Sequence, residues 1–421
     1  MPTSPSSVPA PSSVPAPLSA RSAEVVRTTL PVVGAAIGEI TTLFYQRMFA
    51  AHPELQRDLF NRGNQAQGDQ QRALAGAIAA YATLLVSETG PSPGAVLERI
   101  ANKHASLGIT VDQYPIVHQH LFEAIAEVLG DAVTPEVAAA WDEVYWNMAN
   151  ALIALEKDLY ARAGVVPPDV WQRLVVVRRM HESPDTISFV LARPDGSMLP
   201  QARPGQYVSV AVTLADGARQ IRQYSLTRAP QQAAWGISVK AITESVDDNG
   251  VSTPAGEVSN HLYHNVFEGD ALEVSPAFGD LVLDDTDAPL LLVSAGIGCT
   301  PIIGMLHYLT HTASGRDVMV LHADRSPARH AHRQELKELV DQLPAATLHR
   351  WYEDLGVRPA TDTLQPGRVD LSGLDIPGDV EVYLCGPLPF MAAVRRALGD
   401  RGVGNPQIHY EVFGPDSALA A

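Results

Sequence analysis

His104, Tyr114 and Glu156 are the residue types from which a chemical reading of this chain starts. On a helix through "LERIANKHASLG", Leu97, Ile100, His104 and Leu107 share one face, so the imidazole points inward. Tyr114 follows ten residues later, and Glu156 falls by helical spacing beside the Tyr145–Met148–Leu152 face of the last and longest helix. A lone histidine on an apolar face is ordinarily a core residue that needs one polar partner. A buried carboxylate is costly unless paired, and an imidazole N–H is a natural partner for it. A carboxylate and a phenol behind an imidazole would also make the ring a more electron-donating metal ligand.

Two further clusters carry chemistry. "RQYSLT" (222–227) closes a β-type run and offers Arg222, Gln223, Tyr224 and Ser225. Alternation alone explains such a mix on an amphipathic strand. A flavin site asks for the same set: a cation for the pyrophosphate, a flat ring and a hydroxyl. "LLLVSAGIGCTP" (290–301) runs from a strand through Gly296 and Gly298 to Thr300 and a helix. Small residues there let backbone approach a pyrophosphate at a helix N-terminus, although many such turns only pack a helix on a strand.

The elements that must position these residues follow from periodicity. From about Ala23 to Gly164 apolar residues recur at three and four, as in Val33, Ile37, Ile40 and Phe44, which predicts helices. Gly34, Gly38 and Thr41 precede Tyr45 on what reads as one face and would clear space for a flat group, while Gln70 and Leu74 face the interior from an opposed helix. "AGVVPPD" (163–169) marks a boundary where a helix cannot resume. Short β-rich runs separated by "RPDGS", "RPGQ" and "ADG" then predict an antiparallel barrel or sandwich. From about Ala288 buried-type strands alternate with helices, which predicts a parallel α/β sheet.

With these elements in place the motifs become specific. "PGQY" (204–207), "RQYSLT", "GEVSN" (256–260), "GIGCTP" (296–301), "CGP" (385–387) and "YEVFGP" (410–415) resemble, in order and spacing, the ferredoxin–NADP reductase family of flavin reductases. That resemblance implies that Tyr207, Arg222, Gln223, Tyr224 and Ser225 hold FAD, with Ser259 at its pyrophosphate and Phe413 near its ring. It also implies that Gly296, Gly298, Thr300, Cys385, Gly386 and Pro387 shape the NADH or NADPH site. "LFYQRMFAAHPEL", "GDQQRAL", "NKHASLG…DQY" and "ALIALEKDLY" resemble the globin domain of flavohaemoglobins.

Apart from its tail, the whole chain is therefore similar to the bacterial flavohaemoglobins, each a globin fused to a flavin reductase. The resemblance implies an all-α globin (22–163), an antiparallel β-barrel FAD domain (164–285) and an α/β parallel-sheet NAD(P)-binding domain (286–421), after a tail at 1–21. It makes His104 the proximal ligand of haem b iron and joins Tyr114 and Glu156 to it as a hydrogen-bonded relay. Tyr45 and Gln70 then stand on the distal side, Leu74 packs over the iron and Phe60 packs on the haem. The family is a nitric oxide dioxygenase: NAD(P)H reduces FAD, FAD reduces the iron, and dioxygen held there converts nitric oxide to nitrate. Retention of the Tyr/Glu pair and of the flavin motifs points to the nitric oxide-detoxifying branch. The alternatives are a haem-free flavin reductase that docks a protein partner, and an oxygen store or redox sensor.

Bulk properties agree with this reading. A chain of 421 residues is long for one core and predicts two or three domains. A net charge of −17 disfavours nucleic acid and anionic membranes as partners, while the resemblance implies nitric oxide and dioxygen as substrates, and a monomer is expected. Two cysteines form no disulfide framework and fit the reducing cytoplasm. The "SSVPAP" repeat (6–17) has no signal-peptide pattern and reads as a disordered or polyproline-like tail. Arg325, Ser326 and Arg329 lie where an adenosine ribose is expected, or else in a solvated basic loop. Cys299 and Cys385 follow strands that should end at the nicotinamide crevice, as reactive thiols or as small buried hydrophobes.

Overall fold

A computed structural model describes residues 17–66, 68–87, 94–228, 233–246 and 252–414. Most of the proposed tail (1–16) and Pro415 of the last motif lie outside the described residues. The described residues form two compact units: those up to Pro53 with those of Gln70–Val170, and those of Glu54–Asp69 with those from Trp171 onward.

The first unit is helical. Its long helices are α1 (Ala20–Ala51), α4 (Asp69–Val86), α5 (Gly94–Leu107), α6 (Gln113–Leu129) and α7 (Pro135–Ala163). Two short helices, α2 (Pro53–Asp58) and α3 (Arg62–Ala66), fall between α1 and α4 in the chain. α1 begins before Ala23, because the Ser19 side chain caps it by accepting from the Ser22 N–H. It continues through Pro31 to 32 residues, so it, and not the 29-residue α7, is the longest helix. α7 carries both of its boundary signals. Thr134 caps the N-terminus ahead of Pro135, and Gly164 closes the C-terminus in a left-handed conformation (φ 69°). α1 packs against α6 and α7, and α5 packs against α7.

The buried stripe of α1 runs through Val26, Val33, Ile40, Thr41, Phe44, Tyr45 and Met48. Gly34 and Gly38 are exposed, which corrects the expectation that they clear space inside. The inward arc of the helix lies one position over, and only Thr41 and Tyr45 of that set reach it.

In the second unit a six-stranded antiparallel sheet is built from β1 (Gln172–Ser183), β2 (Thr186–Ala192), β3 (Tyr207–Thr213), β4 (Arg219–Ser225), β5 (Trp235–Lys240) and β8 (Ala271–Val274), in the order β4-β3-β8-β1-β2-β5. A bridge between Leu226 and Ile237 joins the two outer strands, so the sheet closes into a barrel. Its interior holds Leu174, Phe189, Val208, Val210, Ile237 and Val274. A small hairpin of β6 (Ser245–Val246) and β7 (Ser252–Thr253) leads to α8 (Glu257–Asn265), a helix where the sequence shows only a motif.

The remaining sheet is parallel, in the order β12-β11-β10-β9-β13-β14, from β9 (Leu290–Ala295), β10 (Val318–Asp324), β11 (Ala346–Tyr352), β12 (Leu364–Pro366), β13 (Glu381–Cys385) and β14 (Ile408–Glu411). Helices α9 (Cys299–His311), α10 (Arg333–Asp341) and α11 (Leu388–Gly399) cover it. Side-chain alternation divides the core between the faces. Leu290 and Leu292 pack with α9 and α10 residues, while Leu291 and Val293 pack with Met391 and Val394 of α11. Strand order reverses beside β9, with β10 on one side and β13 on the other. That crevice is where open α/β sheets bind ligands.

Candidate functional site

In the helical unit, His104, Tyr114 and Glu156 converge from α5, α6 and α7. The His104 Nδ1 lies 2.7 Å from Glu156 Oε1, and the Tyr114 hydroxyl donates to that same oxygen at 2.5 Å. Because the phenol proton is committed to the carboxylate, the 3.2 Å approach of His104 Nδ1 to the Tyr114 hydroxyl leaves Nδ1–H as the donor to Glu156. The Nε2 lone pair is then free, and the His104 side chain is 31% exposed while that of Glu156 is 4% exposed. The relay is itself braced. Tyr145 donates to the Tyr114 carbonyl at 2.7 Å, and Tyr160 donates to the Ile109 carbonyl at 2.8 Å. Sequence reasoning counts Tyr145 only as core; the signal it lacks is the partner, a backbone carbonyl 31 residues away.

Tyr45 is buried, and Gln70 hydrogen-bonds its hydroxyl; burial pushes the phenol well above its ordinary pKa, so it stays protonated. Burial, followed by the Glu156 charge, does the same to Tyr114. Leu74 lies on α4, one turn beyond Gln70. Phe60 lies in the stretch Glu54–Asp69, which packs within the second unit. The donor set, a histidine with one nitrogen fixed and the other open, fits a haem iron.

The residues expected at a flavin gather on the barrel. β3 and β4 pair so that Tyr207 opposes Ser225 and Val208 opposes Tyr224. Gly205, at φ +101°, lets the chain turn ahead of Tyr207, where a Cβ would come within 2.2 Å of the Leu281 carbonyl oxygen. Arg222 donates to two neutral oxygens, the Ile221 carbonyl at 2.8 Å and Gln220 Oε1 at 3.3 Å. Burial depresses its pKa, as expected of a cation awaiting an anion. Gln223 donates to Ser209 Oγ at 2.9 Å, and Ser259 sits in the first turn of α8, whose N-terminal dipole favours phosphate. Phe413 is 49% exposed, apart from the packed core. This set fits a dinucleotide flavin.

The two nucleotide turns meet backbone to backbone. A Cβ on Gly298 would lie 2.5 Å from the Cys385 carbonyl oxygen, so only glycine permits the approach. Gly296, Gly298 and Thr300 thereby stand with Cys385, Gly386 and Pro387 at the carboxyl ends of β9 and β13. Both thiols are fully buried, and burial raises their pKa values, which makes them small hydrophobes rather than nucleophiles. In the loop after β10, Arg329 pairs with Asp185 at 2.8 Å, while Arg325 is exposed. Beside them lies a cluster the sequence does not announce. His322 stacks on His330 with ring centroids 3.8 Å apart, and burial holds both neutral.

Three family profiles match the chain: globin over residues 42–152, an oxidoreductase FAD-binding domain over 173–282 and an oxidoreductase NAD-binding domain over 292–396. A flavohemoprotein of Bordetella parapertussis is 42% identical over 407 residues, covering 94% of this chain and 98% of that protein. One from Rhizobium meliloti is 39% identical, covering 95% and 99%. The crystal structure of a flavohemoglobin from Malassezia yamatoensis with bound FAD and heme superposes with a TM-score of 0.83 at 37% identity, covering 95% of this chain and all of that one. The FAD/NAD-binding domain of a nitric oxide dioxygenase from Vibrio cholerae matches 58% of this chain and 99% of its own at 36% identity, with a TM-score of 0.52.

Proposed function

The chain belongs to the flavohaemoproteins, and from that premise we propose that this NAD(P)H-dependent oxidoreductase is a nitric oxide dioxygenase with haem, FAD and a nicotinamide nucleotide as its cofactors. We assign its domains to 22–163, 164–285 and 286–421. When bound, haem iron supplies a centre that takes up dioxygen and single electrons, and FAD converts the two-electron reducing power of the nicotinamide into single electrons.

The chain's own residues prepare these sites. His104 presents Nε2 as the iron ligand, and the Glu156 carboxylate on Nδ1–H makes the ring a stronger donor. Tyr114 holds that carboxylate in place through its own hydroxyl proton. Tyr45, kept protonated by burial and oriented by Gln70, donates a hydrogen bond to partial negative charge on a distal ligand. Leu74 excludes water from the haem. In the flavin site Arg222 and Ser259 take the pyrophosphate, and Tyr207, Gln223, Tyr224, Ser225 and Phe413 hold the ring system. Gly296, Gly298, Thr300, Cys385, Gly386 and Pro387 form the floor under the nicotinamide.

The relay with its open Nε2 carries this reading, in a chain that continues into flavin and nucleotide folds. A reductase that used its helical unit only for docking has no need of it. The similarity of the second unit to the reductase domain of the Vibrio cholerae nitric oxide dioxygenase supports the same activity. The test is a nitric oxide pulse to aerobic holoprotein with NADH. Each nitric oxide should leave as nitrate with one electron consumed, so each NADH supports two turnovers. Loss of nitric oxide at the uncatalysed rate would refute the activity and leave an oxygen carrier or sensor.

A further inference from the structure

Gln220, on β4, is fully buried, yet its side-chain amide is fully used. Its Nε2 donates to the Arg57 carbonyl at 3.0 Å and to the Phe60 carbonyl at 3.1 Å. Its Oε1 accepts from Arg222 Nη1 at 3.3 Å and from the Arg62 backbone N–H at 3.4 Å. Two donors meet two carbonyls and one oxygen meets two N–H groups, so the arrangement fixes the amide orientation and spends its whole capacity.

The same stretch is tied at other points. Arg62 forms ion pairs with Asp216 at 2.6 Å and with Glu257, the first residue of α8, at 2.8 Å. The Asp58 carboxylate accepts the Arg219 backbone N–H at 3.2 Å. Residues 57–62 are therefore fastened both to β4, which carries Arg222, and to the start of α8, which carries Ser259. In the chain this stretch joins α1, with Tyr45, to α4, with Gln70 and Leu74.

We propose that Gln220 is a positioning residue that makes the flavin pyrophosphate strand and the Arg57–Arg62 segment one hydrogen-bonded body, and so sets how readily electrons pass from flavin to haem. This rests on the reading above in which Arg222 meets FAD and Tyr45, Gln70 and Leu74, on the helices that the segment joins in the chain, meet the haem. An amide is the one side chain of this size that serves both directions. A carboxylate keeps the acceptor half toward Arg222 and Arg62 but cannot donate to the carbonyls of Arg57 and Phe60. Methionine fills the space and does neither.

Gln220→Glu and Gln220→Met holoproteins separate the two halves. Haem and FAD contents are measured first, then stopped-flow mixing with NADH compares haem reduction with flavin reduction in each protein. In Gln220→Glu the ratio of haem to flavin reduction rates should fall by about tenfold, within the range that a misplacement of about 1 Å costs. The carbon monoxide stretching band of the ferrous haem should shift with it, which a purely structural loss of stability does not produce. In Gln220→Met both rates should fall. An unchanged ratio and an unmoved band in both variants would overturn the coupling, as would a fall in flavin reduction that fully accounts for the loss in Gln220→Glu. Wild-type protein that binds FAD and no haem would overturn the functional reading, and the coupling with it.

Discussion

The two units solve the problem of buried charge in opposite ways. In the helical unit a buried carboxylate, Glu156, is paired from within, its Oε1 meeting both Tyr114 and His104, and the open valence is the neutral Nε2. In the barrel a cation, Arg222, is left facing neutral oxygens, and the open valence is its charge. On the proposed reading the first arrangement donates electron density to a metal and the second receives an anion. A pocket is recognisable by what its polar groups still lack, rather than by how many it contains.

Removing the histidine breaks this comparison most severely. His104→Ala should abolish haem binding and all nitric oxide consumption, while NADH still reduces the flavin and an artificial acceptor. Haem and flavin contents, measured together with both activities, check it; a variant that keeps a normal five-coordinate ferrous spectrum would show that His104 is not the ligand.

Tyr45→Phe should act more mildly, because it deletes a single hydrogen bond to a partly charged ligand. Such bonds are worth about 1.5–3 kcal/mol, so dioxygen release should accelerate roughly ten- to a hundredfold. Flash photolysis or stopped-flow displacement measures the rate, and equal rates would mean the hydroxyl is aimed elsewhere.

Arg325→Ala sharpens the anion side. With Arg329 held by Asp185, Arg325 is the cation of that loop left to meet a 2′-phosphate. The KM for NADPH should rise several-fold, roughly 1 kcal/mol for an exposed charge contact, with NADH unaffected. Equal KM values for NADPH in the two proteins would make the loop merely solvated.

The smallest expected effect concerns acid stability. Burial alone would raise the pKa of Glu335, but hydrogen bonds from His307 and His332 outweigh it and hold the group at about 2, against an ordinary 4.5. A depressed folded pKa contributes stability that is complete above the unfolded value and disappears as pH falls through the folded one. Wild type should therefore lose stability between pH 4.5 and about 2, and Glu335→Gln should flatten that part of the curve. Identical denaturant midpoints across this window would remove Glu335 from the acid response.

Legibility in the sequence followed locality. The helix-to-barrel boundary at Gly164 and Pro167–Pro168 is written in residues that stop a helix wherever they occur. The strands of both sheets show as short β-branched runs, and helical spacing places Glu156 on a known face, although its relay with Tyr114 and His104 was implied only by the family resemblance. What stayed hidden depends on partners far along the chain. Closure of the barrel by Leu226 and Ile237 has no local signature. The helices α2 and α3 read as part of the helical unit, yet their ion pairs and hydrogen bonds go to Asp216, Gln220 and Glu257. Arg329 looked available until Asp185, 144 residues away, took it. Gly34 and Gly38 misled because a helical face read from small residues alone can be one position wrong.

The central claim is that the C-terminal unit is the electron source and His104 holds the electron sink. Anaerobic mixing of the oxidised holoprotein with NADH under carbon monoxide tests it most directly, with flavin and haem absorption followed in the same trace. Flavin bleaching should come first, followed by complete formation of the ferrous carbon monoxide spectrum at a rate that does not depend on protein concentration. Reduced flavin beside haem that stays ferric would contradict the claim.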